Sequence, residues 1–367
     1  MDPLYRATEG AVLLTGLEIV AEWGQTHGGD VKVAIWQAKT TALIGAQIAK
    51  FQIFDPARLA SMEAKRYWDT ALGGSHSQLD TFTDNGMLTP KEWLKVANAC
   101  ERHGVEFCAT PFDMEAVDLL EALEVRTYKL ASGDLTYQHL IEKIAATGKR
   151  CLMSTGASTL SEVERAIEWF ERASPPPQDL QRRDWTPHEN LVLLACDLQY
   201  PTEKASLGKI RKLAEYGRPV GYSDHTLGVE TGELAVCAGA TVLEKHCTLN
   251  PGGDVPDDRM ALDVDAMRDY IDRARAAVDA NSEFLGKHEQ AARVGARRSL
   301  YTRRALRAGE RIQAEDIVFL RPCPRGAWQP FEVDMVIGRR VACDIPEGDR
   351  IAAEHVIQHE SQACIAA

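Results

Sequence analysis

Between residues 17 and 280 the chain alternates short apolar runs with longer amphipathic stretches, and eight runs have strand character: GLEIVAEWG, AKFQIF, VEFCATP, TYKLAS, CLMSTG, LVLLACD, VGYSD and TVLEKHCT. Strands separated by helix-length connections form a parallel sheet, because a parallel neighbour is reached only through a crossover. Eight such units are expected to close as a (β/α)8 barrel. An open doubly wound sheet would be marked by a GxGxxG turn after the first strand, and the sequence has none there. Helix starts are legible at Thr89, an N-cap for Pro90 to His103, and at Ser158, an expected N-cap for Thr159 to Arg172. The proline-rich stretch 173–190 reads as a surface excursion before the sixth strand.

After the helix Val264 to Ala280 the pattern changes. A charged segment, SEFLGKHEQAARVGA, leads into RRSLYTRRALRAGERIQAEDIVFLRP and VIGRRVACDIPEGDRIAAEHV, two β-rich units that each carry a glycine turn, AGE and EGD, before an acidic segment. The expected organisation is a barrel over 1–282, a polar linker over 283–295, a small β-rich domain over 296–358 and a tail over 359–367.

Composition narrows the functional classes. A net charge of −12 disfavours binding to nucleic-acid phosphates, and no run of about 18 apolar residues suggests a membrane span. The first residues, MDPLYRATEG, lack a basic cluster followed by an apolar core, so synthesis and function in the cytoplasm are expected. Nine cysteines without a CxxC pair, several inside apolar runs, read as buried reduced thiols. In so acidic a chain, an anionic substrate needs local positive charge.

Barrel chemistry sits at the C-terminal ends of the strands, which directs attention to the polar residues closing each run. His225 in YSDHT and His246 in LEKHCT end adjacent strands, and two imidazoles at one depth can hold a divalent cation with positions left for water and substrate oxygens. The alternative is that each histidine merely caps its strand by hydrogen bonding. Lys50, Gln52, Thr110, Lys129, Ser132 and Ser154 form a second group, ammonium charge and short donors of the kind that converge on a phosphate. The plainer alternative pairs Lys50 and Lys129 with Glu22 and Glu244 as a structural network. Glu22, Asp134, Glu244 and Asp257 are the candidate acids and bases, with Asp224 able to orient its neighbours.

Taken together, AEWGQTHGGD, KFQIF, ATPFD, YKLASGD, STGAS, QYPT, GYSDHTLG, LEKHCT, RRSLY and LRP resemble, in order, the sialic acid synthase family of N-acetylneuraminate, legionaminic and pseudaminic acid synthases. The resemblance implies a barrel followed by an antifreeze-like (SAF) domain in a domain-swapped homodimer. It implies that His225 and His246 hold a Mn²⁺-like ion, Mg²⁺ or Co²⁺ being alternatives. Lys50, Thr110, Lys129, Ser132, Ser154 and Ser223 would surround phosphoenolpyruvate, with Tyr200 and Asp257 also binding substrate. Glu22, Gln52, Asp134 and Glu244 are the catalytic candidates, Glu22 and Asp134 facing the sugar. Arg321 would reach into the partner's site and hold an N-acyl group. The implied reaction joins phosphoenolpyruvate to an N-acylated amino-sugar aldehyde of the N-acetylmannosamine type. A silent glycan-binding or regulatory barrel and a metal-dependent pyruvate aldolase are the alternatives. The chain departs from the family where Asp134 replaces Glu and Leu198 replaces Ser or Asn, and also at Trp23, Thr26 and Asp258.

Overall fold

The eight apolar runs become eight parallel strands: β1 (Glu18–Gly24), β2 (Ile48–Ile53), β3 (Glu106–Pro111), β4 (Thr127–Leu130), β5 (Arg150–Ser154), β6 (Leu191–Cys196), β7 (Val220–Asp224) and β8 (Val242–His246). In this computed structural model, which describes residues 16–66, 68, 77–84, 87–176, 190–253, 255–281 and 289–357, they close into a barrel in sequence order. Closure is made by β1 against β8, in a register that sets Glu22 opposite His246. The chain divides into two compact units, Met1–Ser282 and Glu283–Ala367.

Alternation along each strand sorts side chains into an inner and an outer set. Val20, Ile48, Cys108, Leu152, Val192, Leu194 and Val242 pack together as an apolar cluster. Two residues further along the same strands stand Glu22, Lys50, Thr110, Ser154 and Glu244, so the apolar layer forms the floor beneath a polar one. Gly221 belongs to the inner set for want of space, since a Cβ there would lie 2.4 Å from the Val242 carbonyl and 2.5 Å from Leu194 Cδ2. Ile19, Ala21, Ala49, Phe51 and Leu243 face outward into the core shared with the helices.

The helix Pro90–Arg102 starts at Thr89, whose backbone N–H donates to Glu92 at 2.8 Å. The helix Leu160–Ala173 starts at Thr159, not Ser158: Thr159 and Glu162 form a reciprocal capping box, because the glutamate lies three residues after Thr159. The run TYKLAS also divides, β4 ending at Leu130 and Ser132–Asp134 turning into a 3-10 helix. Residues 177–189 of the proline-rich stretch and the tail from 358 onward lie outside the described residues.

Within the second unit β9 (Ser299–Thr302) pairs antiparallel with β10 (Ile317–Leu320) over a core that includes Leu300, Leu306, Ile312, Val336, Val341, Ile345 and Ile351. The two similar stretches pair with each other: Leu306 and Ile345 exchange backbone hydrogen bonds, each 2.8 Å. Their turns hold Gly309 and Gly348 at φ +85° and +78°, where a side chain would be strained. The segment expected as a polar linker is helical in its latter part, Glu289–Ala296; residues 282–288 lie outside the described residues. EQAARV is rich in strong helix formers, a propensity that its polarity obscured. Among the described residues no helix is long and apolar enough to cross a membrane.

Candidate active site

At the C-terminal ends of the strands lies a cavity of about 430 Å³, lined by all the sequence-derived candidates of the barrel. β1 and β2 contribute Glu22, Lys50 and Gln52, while β3 and β4 contribute Thr110 and Lys129. Ser132 and Asp134 come from the 3-10 turn after β4, Ser154 from β5, and Tyr200 from the segment after β6. Ser223 and His225 arrive with β7, Glu244 and His246 with β8, and Asp257 from the turn beyond. Arg321 belongs to the second unit, where it is exposed, directly after β10.

A cage of alternating charge occupies the floor of this cavity. Lys50 Nζ lies 2.7 Å from Glu22 Oε2 and 3.9 Å from Glu244 Oε2, and Lys129 Nζ lies 3.8 Å from Glu244 Oε1. Gln52 donates to Glu22 at 3.1 Å and Ser223 to Glu244 at 2.8 Å. The lysine–carboxylate network weighed from the sequence is thus present, and both lysines also face the cavity. Burial pushes Glu22 above the usual carboxylate range against the pull of Lys50. For Glu244 burial is outweighed by Lys129 and Lys50, which hold it below that range. Lys50 is drawn down by burial yet carried above its ordinary value by Glu22 and Glu244. Two ammonium groups and two carboxylates cancel, so a multiply charged anion calls for a proton on Glu22 or for further positive charge nearby.

Asp134 and Asp257 are both pushed up to about 7, in each case mainly by burial. Lys129 pulls Asp134 the other way, and Asp134 Oδ2 is buried without a hydrogen-bond partner. For Asp257 the proximity of Glu22 adds to burial. Its carboxylate is drawn over β1 because Gly24, at φ +51°, has no side chain: a Cβ there would lie 2.2 Å from Asp257 Oδ2.

The two histidine rings stand 5.5 Å apart, centroid to centroid, with the Tyr200 ring 4.2 Å from His225 and tilted to it by 31°. His225 Nδ1 lies 3.0 Å from the Asp197 carbonyl, a contact that is a hydrogen bond only when Nδ1 carries the proton; burial draws His225 down but Cys196 and this carbonyl carry it above the usual histidine value, and Nε2 offers a lone pair in the neutral form of the ring. His246 Nδ1 is buried with no hydrogen-bond partner, and the nearest acid, Asp257 Oδ2, is 3.9 Å away. Burial and the neighbouring cations hold His246 far below the usual histidine range, so this nitrogen is an orphaned neutral donor. An imidazole pair of this kind fits a divalent cation bound in an open site. Among the described residues no set of three or more His, Cys, Asp or Glu side chains is arranged around one point, so water and substrate would complete the coordination.

Asp224 orients rather than lines the site. Its Oδ1 accepts from the backbone N–H and hydroxyl of Thr226 at 2.8 and 2.7 Å, and its Oδ2 lies 3.1 Å from the fully buried Lys245. Sequence reasoning passed over Lys245, although a lysine inside LEKHC signals a buried partner. It also passed over Gln25, Leu59, Arg66, Trp68, Gln78, Thr81 and Phe82, which line the cavity. All but Gln25 come from the excursion after β2, where no periodicity marks inward-facing positions. Of the departures noted above, Leu198 and Asp134 line the cavity. Trp23 is wholly buried and donates to Thr41 at 2.8 Å, Thr26 donates to the Trp23 carbonyl, and buried Asp258 accepts from Thr248, so these three serve local packing.

A sequence model of the NeuB family matches residues 37–285, and one of the SAF domain matches residues 297–357. The N,N'-diacetyllegionaminic acid synthase of Legionella pneumophila is 31% identical, over 92% of this chain and 94% of that protein. The pseudaminic acid synthase of Campylobacter jejuni is 28% identical, over 91% of this chain and 94% of its own. Among solved structures, the N-acetylneuraminic acid synthetase of Leptospira borgpetersenii in complex with citrate superposes with a TM-score of 0.64 at 26% identity, over 76% of this chain and 90% of that one.

Proposed function

The chain belongs to the NeuB family, and from that premise we propose that it condenses phosphoenolpyruvate with the aldehyde of an N-acylated amino sugar, yielding a nine-carbon 2-keto-3-deoxy acid and phosphate. The observation that carries this reading is a single cavity in which two lysines and several hydroxyls share the floor with a pair of imidazoles.

Lys50 and Lys129, with the hydroxyls of Thr110, Ser132, Ser154 and Ser223, receive the phosphate and carboxylate of phosphoenolpyruvate. Protonation of Glu22 releases Lys50 for this task. A divalent cation held by His225 and His246, Mn²⁺ being the expected ion, would supply Lewis-acid polarisation of the aldehyde oxygen. Carbon 3 of phosphoenolpyruvate forms a bond to the aldehyde carbon as the carbonyl π bond breaks, water adds at carbon 2, and of its two protons one ends on the former aldehyde oxygen while the other leaves with the phosphate. The bond between carbon 2 and the bridging oxygen then breaks, releasing phosphate and leaving the keto group. Asp134, raised to about 7 and without a hydrogen-bond partner at Oδ2, can accept and return a proton near neutrality. Lys50 and Lys129 stabilise the departing phosphate.

The test incubates the protein with Mn²⁺, phosphoenolpyruvate and a panel of N-acylated hexosamines, following free phosphate and keto acid. Stoichiometric release of both is expected. Keto acid formed from pyruvate instead would identify an aldolase, and no product from any acceptor would leave a silent barrel.

A further inference from the structure

The cavity has two chemically different sets of walls. Strand ends supply its charge, whereas the excursion between β2 and the helix Pro90–Arg102 brings Leu59, Trp68 and Phe82 to it, with Arg66 close by in sequence. Trp68 and Phe82 pack ring to ring with centroids 5.7 Å apart at 38°. Phe82 in turn stands on Phe54 at 5.3 Å and 61°, and Phe54 meets Phe112 edge-on at 5.8 Å and 85°. Since Phe54 is only 5% exposed, the two partly exposed rings rest on a ring fixed in the core. None of the chemical steps above uses them. Phosphate and carboxylate are strongly hydrated and gain nothing from an aromatic surface, whereas methyl and C–H groups do. A guanidinium on the same wall is unfavourable for a protonated amine and harmless to an amide.

We infer that Trp68 and Phe82 form the specificity platform for the acceptor, packing the methyl of its N-acyl group, and that Arg66 disfavours an acceptor whose amine is free. The inference rests on the proposed condensation and adds to it the residues that select the N-acylated class. Trp68→Ala and Phe82→Ala should each raise KM for N-acetylmannosamine about tenfold, the scale of losing one buried methyl contact with its ring, while KM for phosphoenolpyruvate stays within about twofold. Trp68→Phe should retain most of the affinity. Arg66→Gln should narrow the preference for N-acetylmannosamine over mannosamine.

Saturation-transfer NMR on the full chain gives a readout independent of turnover. The acetyl methyl of N-acetylmannosamine should receive the strongest transfer, and Trp68→Ala should abolish it. If the wild type turns over but both alanine variants leave the acceptor KM unchanged, or raise both KM values equally, the platform is wrong while the reaction stands. A wild type that forms no product overturns the reaction instead; the platform then stands or falls on whether the methyl signal depends on Trp68.

Discussion

Replacing Lys129 by methionine isolates the charge that the cage leaves most available to a ligand. Lys50 lies 2.7 Å from Glu22, but among the described residues Lys129 lies 3.8 Å from its nearest carboxylate and otherwise donates to the Leu130 carbonyl. The fold should survive, because Glu244 keeps its 2.8 Å hydrogen bond from Ser223 and the cation of Lys50 at 3.9 Å. A hydrogen bond to a charged group is worth a net ~1.5–3 kcal/mol, which corresponds to a loss of about 10- to 150-fold in phosphoenolpyruvate affinity. Calorimetric titration without acceptor measures that loss directly, and steady-state kinetics should show the acceptor KM changed by less than about threefold. Lys50→Met supplies the contrast. It removes the cation that opposes the burial of Glu22, 1% exposed, so Glu22 should take up a proton more readily, and the melting temperature should fall relative to the wild type more at high pH than at low pH. If Lys129→Met binds phosphoenolpyruvate like the wild type, or weakens both substrates equally, the lysine does not serve the phosphate.

His225→Ala and His246→Ala should each abolish turnover with the barrel still folded, and equilibrium dialysis should show loss of bound Mn²⁺; near-normal activity in EDTA would exclude a metal there. Asp134, raised to about 7 in the fold from 3.8, favours its protonated form on folding, so its contribution is full below about pH 4 and lost as pH rises through 7. Asp134→Asn should therefore gain in melting temperature relative to the wild type between pH 5 and pH 8, and a relative loss over that range would contradict the buried acid. Arg321 is expected to complete the partner's site, so mixing inactive His246→Ala and Arg321→Ala proteins should restore partial activity through heterodimers with one intact site. A mixture that stays inactive despite demonstrated heterodimers would place Arg321 in its own chain's site or in none.

The barrel and its floor were legible because both obey strand alternation. Lys50 follows Ile48 by two positions, Ser154 follows Leu152, and Glu244 follows Val242, so an apolar inner residue predicts a polar one at the mouth. The second wall was not legible, since Trp68 and Phe82 stand in a connection whose side chains obey no period. Cap placement failed for a local reason: Ser158 and Thr159 both suit an N-cap, and only the position of Glu162 decides between them. The helix Glu289–Ala296 is hidden in the sequence by charge of the kind a linker carries, although its residues favour a helix. Lys245 is overshadowed in the sequence by its neighbour His246, although its burial against Asp224 braces the strand ends that carry both histidines.

The pairing of β1 with β8 bears on how such a chain is made and inherited. Glu22 meets His246 only when the last strand arrives, and the Cys247 amide then secures the Glu22 carbonyl at 2.8 Å. Glu22, Lys50, Thr110 and Lys129 come from the first four strands, whereas Ser154, Ser223, Glu244 and His246 come from the last four. A nascent chain in which β8 has not yet emerged thus holds both lysines and His225 but lacks Glu244 and His246, and a gene cut at the midpoint separates Glu22, Lys50, Thr110 and Lys129 from both imidazoles. The site is therefore complete only when the ring is, and loss of a strand that carries one of these residues removes a part that the other strands do not supply.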